Sequence, residues 1–555
     1  SAFEKMSVYN PKLWWPNGYG KQELDEMAFS FTENGVCSDS LNLTYGVRQY
    51  SYNYINSNLH LSVNGYPVIV RGGNWGLPEA LLRCSDERYD LLVRLHKDMN
   101  LNMIRNWVGQ TSNDAFYDAC DRHGIMIFDD FWLANPVDGP HPADEQMFIH
   151  NATDKVKRFR NHVSLVLWAG RNEGFPPATL DSAMRNIITV FDKSRHYISN
   201  SAESPVTGLG PYENKDPEWY FKNRGTTFHT EQGIVSVPSV ESMREMMPQE
   251  YLWPANDMWG LHDWTQPRVK IYTDDMISRY GEAKNIEDFC RKAQMLNMEG
   301  PKAMMETWQS NRGPGVLVWM THPAWPSMIC QTYDYFLEPT AAYFALKKGS
   351  EPVHILWHPV NNLIQVANNT IHHLPGCIAK AEVYDFNGKL VWEKSIVTNL
   401  VSNNVTNCFK VDYPNGITEI RFIKLTLLDK SQKVISSNFY WSSSKYLDYK
   451  ELNNLPEVKL KTCAKKSINK GKNAIEISLE NPSPGMALMI RLKIVDTKTG
   501  ERILPAFWSD NYFSLVPGET RSVVIMPENE PKTEPLIVVE GWNIAPQNVK
   551  ILNQD

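Results

Sequence analysis

From residue 58 to about 349 the chain alternates short apolar strand runs with stretches of helical spacing, and no other pattern in its 555 residues restricts the fold as much. Strands that alternate with helices build a parallel sheet with the helices outside it. The strand runs are VIVRGGNW, NMIRNW, IMIFDDFW, HVSLVLWAGRNEG, HYISNSA, TTFHTEQG and GVLVWM. Between them lie SDERYDLLVRLHKDM, SNDAFYDACDRHG, NATDKVKRFRNH, SAMRNIITVFDKSR, VPSVESMREMMP and EDFCRKAQMLNMEGPKAMMETWQSN, with apolar residues at helical intervals and, for the first, an N-capping Ser or Asp. About 290 residues of this order fit an eight-stranded (β/α)8 barrel. A doubly wound open sheet is the alternative, weakened because no dinucleotide glycine fingerprint follows any strand. Gly208 to Arg224 is irregular and aromatic, and a sixth strand is not legible in it.

On both sides of this region the pattern is β only. Residues 1–57, with LWWPNGYGKQEL, MAFSFTE, a turn at Asn34-Gly35 and LNLTYGVRQYSYNYI, hold strands too few for a sandwich. They are expected to be part of an immunoglobulin-like sandwich whose upstream neighbour is absent. Residues 350–450 and 451–555, separated by YLDYKELNNLP, each predict one immunoglobulin-like β-sandwich. The fold class is therefore multidomain α/β plus all-β, a TIM barrel over 58–349 flanked by sandwiches.

Composition removes several function classes. A net charge of −7 offers no concentrated basic surface for nucleic acid. No run of 18 apolar residues is present, so no membrane insertion is expected. Eight scattered cysteines without a CxxC pair predict free, buried thiols, neither a zinc site nor a disulfide framework. SAFEKMSVYN is not a signal peptide; a periplasmic or secreted location is favoured if one was removed. Eighteen tryptophans offer flat faces that stack on sugar rings as well as fill cores.

In such a barrel, chemistry gathers at the carboxyl ends of the strands. Those ends carry Arg71 to Trp75, Arg105 to Trp107, Asp129 and Asp130, Asn172 and Glu173, Glu231, and Trp319. Glu173, at the rim of an apolar strand, is placed to act as a partly desolvated acid. Two glutamates on different strands, an arginine to hold one ionised and aromatics to seat a ring meet the requirements of acid-assisted glycoside cleavage. There is no Ser/His/Asp elbow and no tight His/carboxylate cluster, so neither metal nor cofactor is expected.

These motifs resemble glycoside hydrolase family 2. GRNEG at 170–174 is similar to the family's acid/base motif, and HTEQGIVSVPS at 229–239 to its nucleophile region. RGGNW, LLRCSDERYDLLVRLHKDMNLNMIRNW, FDDFW with NPVDGP, and LWWPNGYGKQ extend the match, nearest to the branch of β-mannosidases, endo-β-mannosidases and exo-β-D-glucosaminidases. The resemblance implies Glu173 as acid/base and Glu231 as nucleophile. It further implies Asn172 bonded to the sugar 2-hydroxyl, Arg105 keeping the nucleophile ionised, Asp130 as the third-strand carboxylate and Trp319 as platform. Trp107, His229 and Asp129 are added as further candidates. MTHPAWP after Trp319 departs from the branch, whose members carry an Asn-Asp pair there, and the family's N-terminal sugar-binding sandwich is missing from the chain. The retained Asn-Glu pair tilts the glycon toward mannose, since the chitosan-type enzymes tend to have Ser-Asp. The implied partner is an oligosaccharide or glycoconjugate, with the missing sugar-binding domain as a further one. Alternatives are an exo-β-D-glucosaminidase or β-galactosidase type activity, a carbohydrate-binding protein that has lost catalysis, and a metal-dependent hydrolase in the same barrel.

Overall fold

The structure is a computed structural model and describes residues 8–137, 139–531 and 533–553. The first seven residues of the 1–57 segment and Asp138 of NPVDGP lie outside these. Seven parallel strands form the central sheet, in the spatial order His196–Asn200, Leu165–Arg171, Met126–Asp130, Met103–Asn106, Val70–Trp75, Gly315–Trp319 and Phe228–Gly233. Five of the seven are wholly buried, as a parallel sheet covered on both faces requires. This explains why LVLW, the start of the strand Leu165–Arg171, is continuously apolar.

The barrel's sixth position is one residue wide. Thr207 makes an isolated parallel bridge to His229, its N–H donating to Phe228 O at 2.9 Å and its carbonyl accepting from Thr230 N at 2.7 Å. Pro205 and Pro211 lack the N–H that a longer ladder would use, and Gly208 and Gly210 between them have little strand preference. The sixth strand was illegible because almost no strand is there.

The helices follow from their caps. Ser85 accepts from Arg88 N, Asn113 from Ala115 N and Asp144 from Met147 N, while Gly124 ends its helix in the left-handed region at φ 75°. The helix Arg268–Tyr280 has no counterpart in the sequence reading; with Pro at its N-cap and no side-chain cap bond, it lacks a start signal.

At the amino end of the barrel a three-stranded antiparallel sheet, Tyr50–Ile55, Asn58–Val63 and Tyr66–Val68, closes the bottom. Tyr50 and Tyr52 hydroxyls donate to Val163 O and Val166 O at 2.7 and 2.5 Å, and Leu59, Leu61 and Val63 join Met103, Met126, Phe128, Phe228 and Leu317 in one apolar cluster. With the lower end plugged, the carboxyl end is the open one. Before this sheet, Asp25–Glu33 and Val36–Tyr45 pair as a two-stranded hairpin.

After the barrel, a three-stranded sheet (Val353–His358, Leu363–Asn368, Asn404–Lys410) packs on a four-stranded one (Leu374–Asp385, Leu390–Leu400, Ile420–Leu428, Val434–Ser443). Ile355, Val366, Ala381, Val383, Ile423 and Leu425 fill the space between. Lys461–Asn469 to Ile544–Leu552 give the last set of strands, the second immunoglobulin-like element. All eight cysteines are free, but only Cys120, Cys290 and Cys377 are buried; Cys37 and Cys463 are exposed, against the expectation of buried thiols throughout. Among the described residues no helix is long and apolar enough to cross a membrane.

Candidate active site

Arg105 sits at the end of the second barrel strand with no exposed surface, and the polar groups of the barrel mouth are arranged about it. Its Nε lies 3.1 Å from each Asp130 oxygen and its Nη2 donates to Asp130 Oδ2 at 2.6 Å. Nη1 donates to Glu231 Oε1 at 2.5 Å and to Asn74 Oδ1 at 3.3 Å; Nη2 also reaches Asn172 Oδ1 at 2.7 Å. One guanidinium therefore fixes two carboxylates and two amides, three of them on further strands and Asn172 just past the end of a fourth. The planar, five-donor fork makes this possible, and lysine could not reproduce it.

Glu231 is 2% exposed, in the strand Phe228–Gly233. Burial pushes its carboxyl above the ordinary carboxylate range; Arg105 and the Tyr212 hydroxyl pull it back, and the charge of Glu173 pushes it up again. The arginine, expected to hold this carboxylate ionised, opposes the rise that desolvation causes.

Glu173 follows Leu165–Arg171 and is half-buried, with φ at 48°. That left-handed conformation is uncommon for a residue with a side chain and costs roughly 1–3 kcal/mol. It turns the carboxyl back over the pocket, where Oε2 accepts from Asn135 Nδ2 at 2.7 Å. Asn135 also receives Asn172 Nδ2 on its own oxygen at 2.5 Å, so it ties the Asn-Glu pair together.

The two glutamates meet through Tyr212. Its hydroxyl lies 2.5 Å from Glu173 Oε1 and 2.6 Å from Glu231 Oε2, which caps the separation of those two carboxyl oxygens at 5.1 Å. A phenol has one proton, so only one carboxylate can receive it; a second proton, on the other carboxyl, completes the chain. Tyr212 is held by the strand that carries Glu231: Gly210 N donates to Glu231 O at 3.1 Å and Gly233 N to Pro211 O at 2.8 Å. At Gly233 any Cβ would run into the Cα of Tyr212. The glycine that follows Glu231 in the sequence is there for this close approach.

The remaining candidates fall in different places. Trp319 and Trp107 pack edge to face with centroids 5.0 Å apart, and Trp319 meets Tyr212 at 6.2 Å, forming one aromatic wall. The Trp107 Nε1–H has no acceptor among the described residues. Asp130 is fully enclosed, its oxygens taken by Arg105 and by Val108 N at 2.9 Å; it positions the arginine and has nothing left for a sugar. His229 is occupied on both ring nitrogens, by Thr207 Oγ1 at 2.9 Å and Gly210 O at 2.8 Å, so it braces the Tyr212 loop. Asp129 is bonded to Lys155, Tyr117 and Asn106 within the wall. Tyr212 and Asn135 were not among the sequence candidates; Gly-Pro-Tyr in the irregular stretch and the Asn of NPVDGP were their only traces. Among the described residues, the one His/carboxylate group with metal-like spacing, Asp118, Asp121 and His162, belongs to other elements.

Three family models match the chain: the TIM barrel domain of glycosyl hydrolases family 2 over 61–310, a mannosidase Ig/CBM-like domain over 364–444, and an exo-β-D-glucosaminidase Ig-fold domain over 438–544. A mannosylglycoprotein endo-β-mannosidase of Lilium longiflorum is 30% identical over 99% of this chain and 70% of its own length. An exo-β-D-glucosaminidase of Streptomyces avermitilis is 27% identical over 98% of this chain and 67% of its own. Among solved structures, Amycolatopsis orientalis exo-chitosanase CsxA superposes with a TM-score of 0.90 at 23% identity, covering 98% of this chain and 71% of that one.

Proposed function

Because the chain belongs to glycoside hydrolase family 2, and is thus a glycoside hydrolase, we propose that it cleaves β-glycosides with retention, through Glu173 and Glu231. The observation that carries this is the single Tyr212 hydroxyl spanning the two carboxyls within 5.1 Å. Retaining glycosidases hold their carboxyls ~5–5.5 Å apart, whereas inverting ones leave ~6.5–9.5 Å for a water.

In the first step Glu173 gives its proton to the glycosidic oxygen while Glu231 attacks the anomeric carbon, breaking the bond to the leaving group and forming a glycosyl-enzyme. Glu173, now a carboxylate, takes a proton from water as that water displaces Glu231. Arg105 holds Glu231 and Asn172 in one plane of hydrogen bonds, so the attacking oxygen needs little rearrangement. Asn172 has an amide N–H beyond the one given to Asn135, available to the sugar 2-hydroxyl. Trp319 and Trp107 offer the apolar face for the ring.

For the glycon we propose a β-mannoside, free or within a larger glycan, supported by the Asn-Glu pair and the endo-β-mannosidase relative. The exo-glucosaminidase Ig-fold match and the glucosaminidase relatives favour glucosaminide as the second reading. Hydrolysis of aryl β-mannoside, glucosaminide, galactoside, glucoside and glucuronide by the chain and its Glu231→Gln and Glu173→Gln variants separates these. Mannoside turnover is expected, reduced by several powers of ten in each variant, on the order of 5 kcal/mol of barrier. Near-normal rates in a folded Glu231→Gln protein would remove the assignment.

A further inference from the structure

A second recess lies where the barrel meets the first sandwich. The short helix Pro217–Asn223 forms its barrel side, the long helix Ile286–Asn311 its floor, and the strands Val353–His358, Ile420–Leu428 and Val434–Ser443 its far wall. Its cavity volume is about 240 Å³ behind an open mouth, a little under the ~300–1,000 Å³ of drug-sized ligand sites and suited to a smaller occupant.

The floor is polar but already matched. Lys302 Nζ donates to Asn438 Oδ1 and Phe439 O at 3.0 and 2.7 Å, and Glu306 accepts from Tyr440 Oη and Asn438 Nδ2 at 2.7 and 2.8 Å. These interior charges are settled among themselves and give no reason for an ionic ligand.

The walls are different. Trp357 lines the recess, and its Nε1–H is shut off from solvent with no acceptor among the described residues. Arg421 lies flat over Tyr413, 3.8 Å from the ring centre, and its Nε donates to Ser442 Oγ at 3.1 Å. Its two terminal amino groups have no protein acceptor within hydrogen-bond reach among the described residues. Tyr446 stands at the mouth, 64% exposed. Glu218, on the opposite lip, has one oxygen taken by Lys222 and the other unbonded.

Aromatic faces flanked by unmatched N–H donors and a carboxylate acceptor suit a ring that is apolar on its C–H face and hydroxylated at its edge. We propose that this recess is a second saccharide-binding site, which takes one neutral sugar residue of a glycan. It is separate from the glutamate pair and does not rest on the catalytic reading.

The test uses the full chain as Glu231→Gln, labelled with 5-fluorotryptophan, the Trp357 resonance being identified by its loss in Trp357→Phe. Mannose, N-acetylglucosamine and mannobiose are titrated separately. At least one is expected to move that resonance along a saturable curve. Tyr446→Ala and Arg421→Gln should each weaken the binding roughly fivefold to tenfold, the worth of about one net hydrogen bond or stacking contact. The same two substitutions in the active chain should leave aryl glycoside hydrolysis unchanged, which also certifies their folding. A Trp357 resonance that no probe moves up to tens of millimolar overturns the proposal. So does a shift that neither variant weakens. Loss of aryl glycoside hydrolysis by the active chain itself would instead count against the catalytic reading, leaving this one standing.

Discussion

Tyr212 has one hydroxyl proton and two carboxyl neighbours, and the proposed division of labour between Glu173 and Glu231 turns on where that proton points. Donated to Glu231, it favours the carboxylate that must attack, and leaves the tyrosine oxygen to receive a proton from Glu173. Tyr212→Phe removes this support while keeping the ring against Trp319. The Glu231 carboxyl, already raised by burial, should rise further, so the acid limb of kcat/KM moves to higher pH. Turnover should fall on the order of tenfold to a hundredfold, ~1.4–2.7 kcal/mol. A pH–rate profile checks both; a limb that stays put or moves to lower pH would show that the hydroxyl does not serve Glu231. At this scale Glu173, Glu231, Asn172 and Arg105 were legible because each ends or follows a strand, where side-chain direction is fixed by the sheet. Tyr212 was not, since only the folded loop between Thr207 and the strand Phe228–Gly233 brings it over the pocket. Asp130 and His229 were legible as polar residues at strand ends, but position alone does not say whether a side chain faces the substrate or a neighbouring residue.

At the scale of elements, the unit that matters is the strand Phe228–Gly233 with the loop it carries. Two backbone hydrogen bonds and the His229 ring hold Gly210 to Tyr212 in place, and Gly233 gives the loop room. Gly233→Ala should therefore push Tyr212 off the glutamates, with kcat falling at least tenfold while Tm changes by only a few degrees, as for a local backbone shift. Circular dichroism melts beside kinetics test this; a full-rate Gly233→Ala enzyme would mean the loop has slack. The barrel's strands and most of its helices were legible from apolar runs and capping residues. The sixth position was not, because prolines and glycines reduce it to Thr207. Nor was the helix Arg268–Tyr280, whose start has no side-chain cap.

For the molecule as a whole, the seam between barrel and first sandwich carries a chain of charge, partly exposed at Lys348 and Glu351 and buried at His354 and Glu306: Lys348 to Glu351 at 2.7 Å, Glu351 to His354 at 3.0 Å, and His354 to Glu306 at 3.1 Å. Burial pushes Glu351 up, but Lys348 and His354 outweigh it and hold the carboxyl at about 2. Its stabilising effect is thus present above the unfolded value of 4.5 and lost as pH falls toward 2. His354 is opposite in sign. Burial lowers it, but Glu306 and Glu351 prevail and raise it, so its contribution is full below 6.5 and fades as pH climbs through the folded value. The gap in Tm between the native chain and His354→Gln should be widest near 4.5–6.5 and narrow on the alkaline side; a gap independent of pH would place the histidine's role in packing alone. The same seam frames the second recess, so the sandwich both braces the barrel and supplies the walls of the proposed saccharide site. The central claim, attack by Glu231 with Glu173 as acid, is tested most directly by following the first-formed anomer by proton NMR, on whichever aryl β-glycoside the chain cleaves. The β-anomer of the released sugar should appear first and then mutarotate, as two successive displacements require. Initial release of the α-anomer would mean a single displacement by water, and would contradict a nucleophilic role for Glu231.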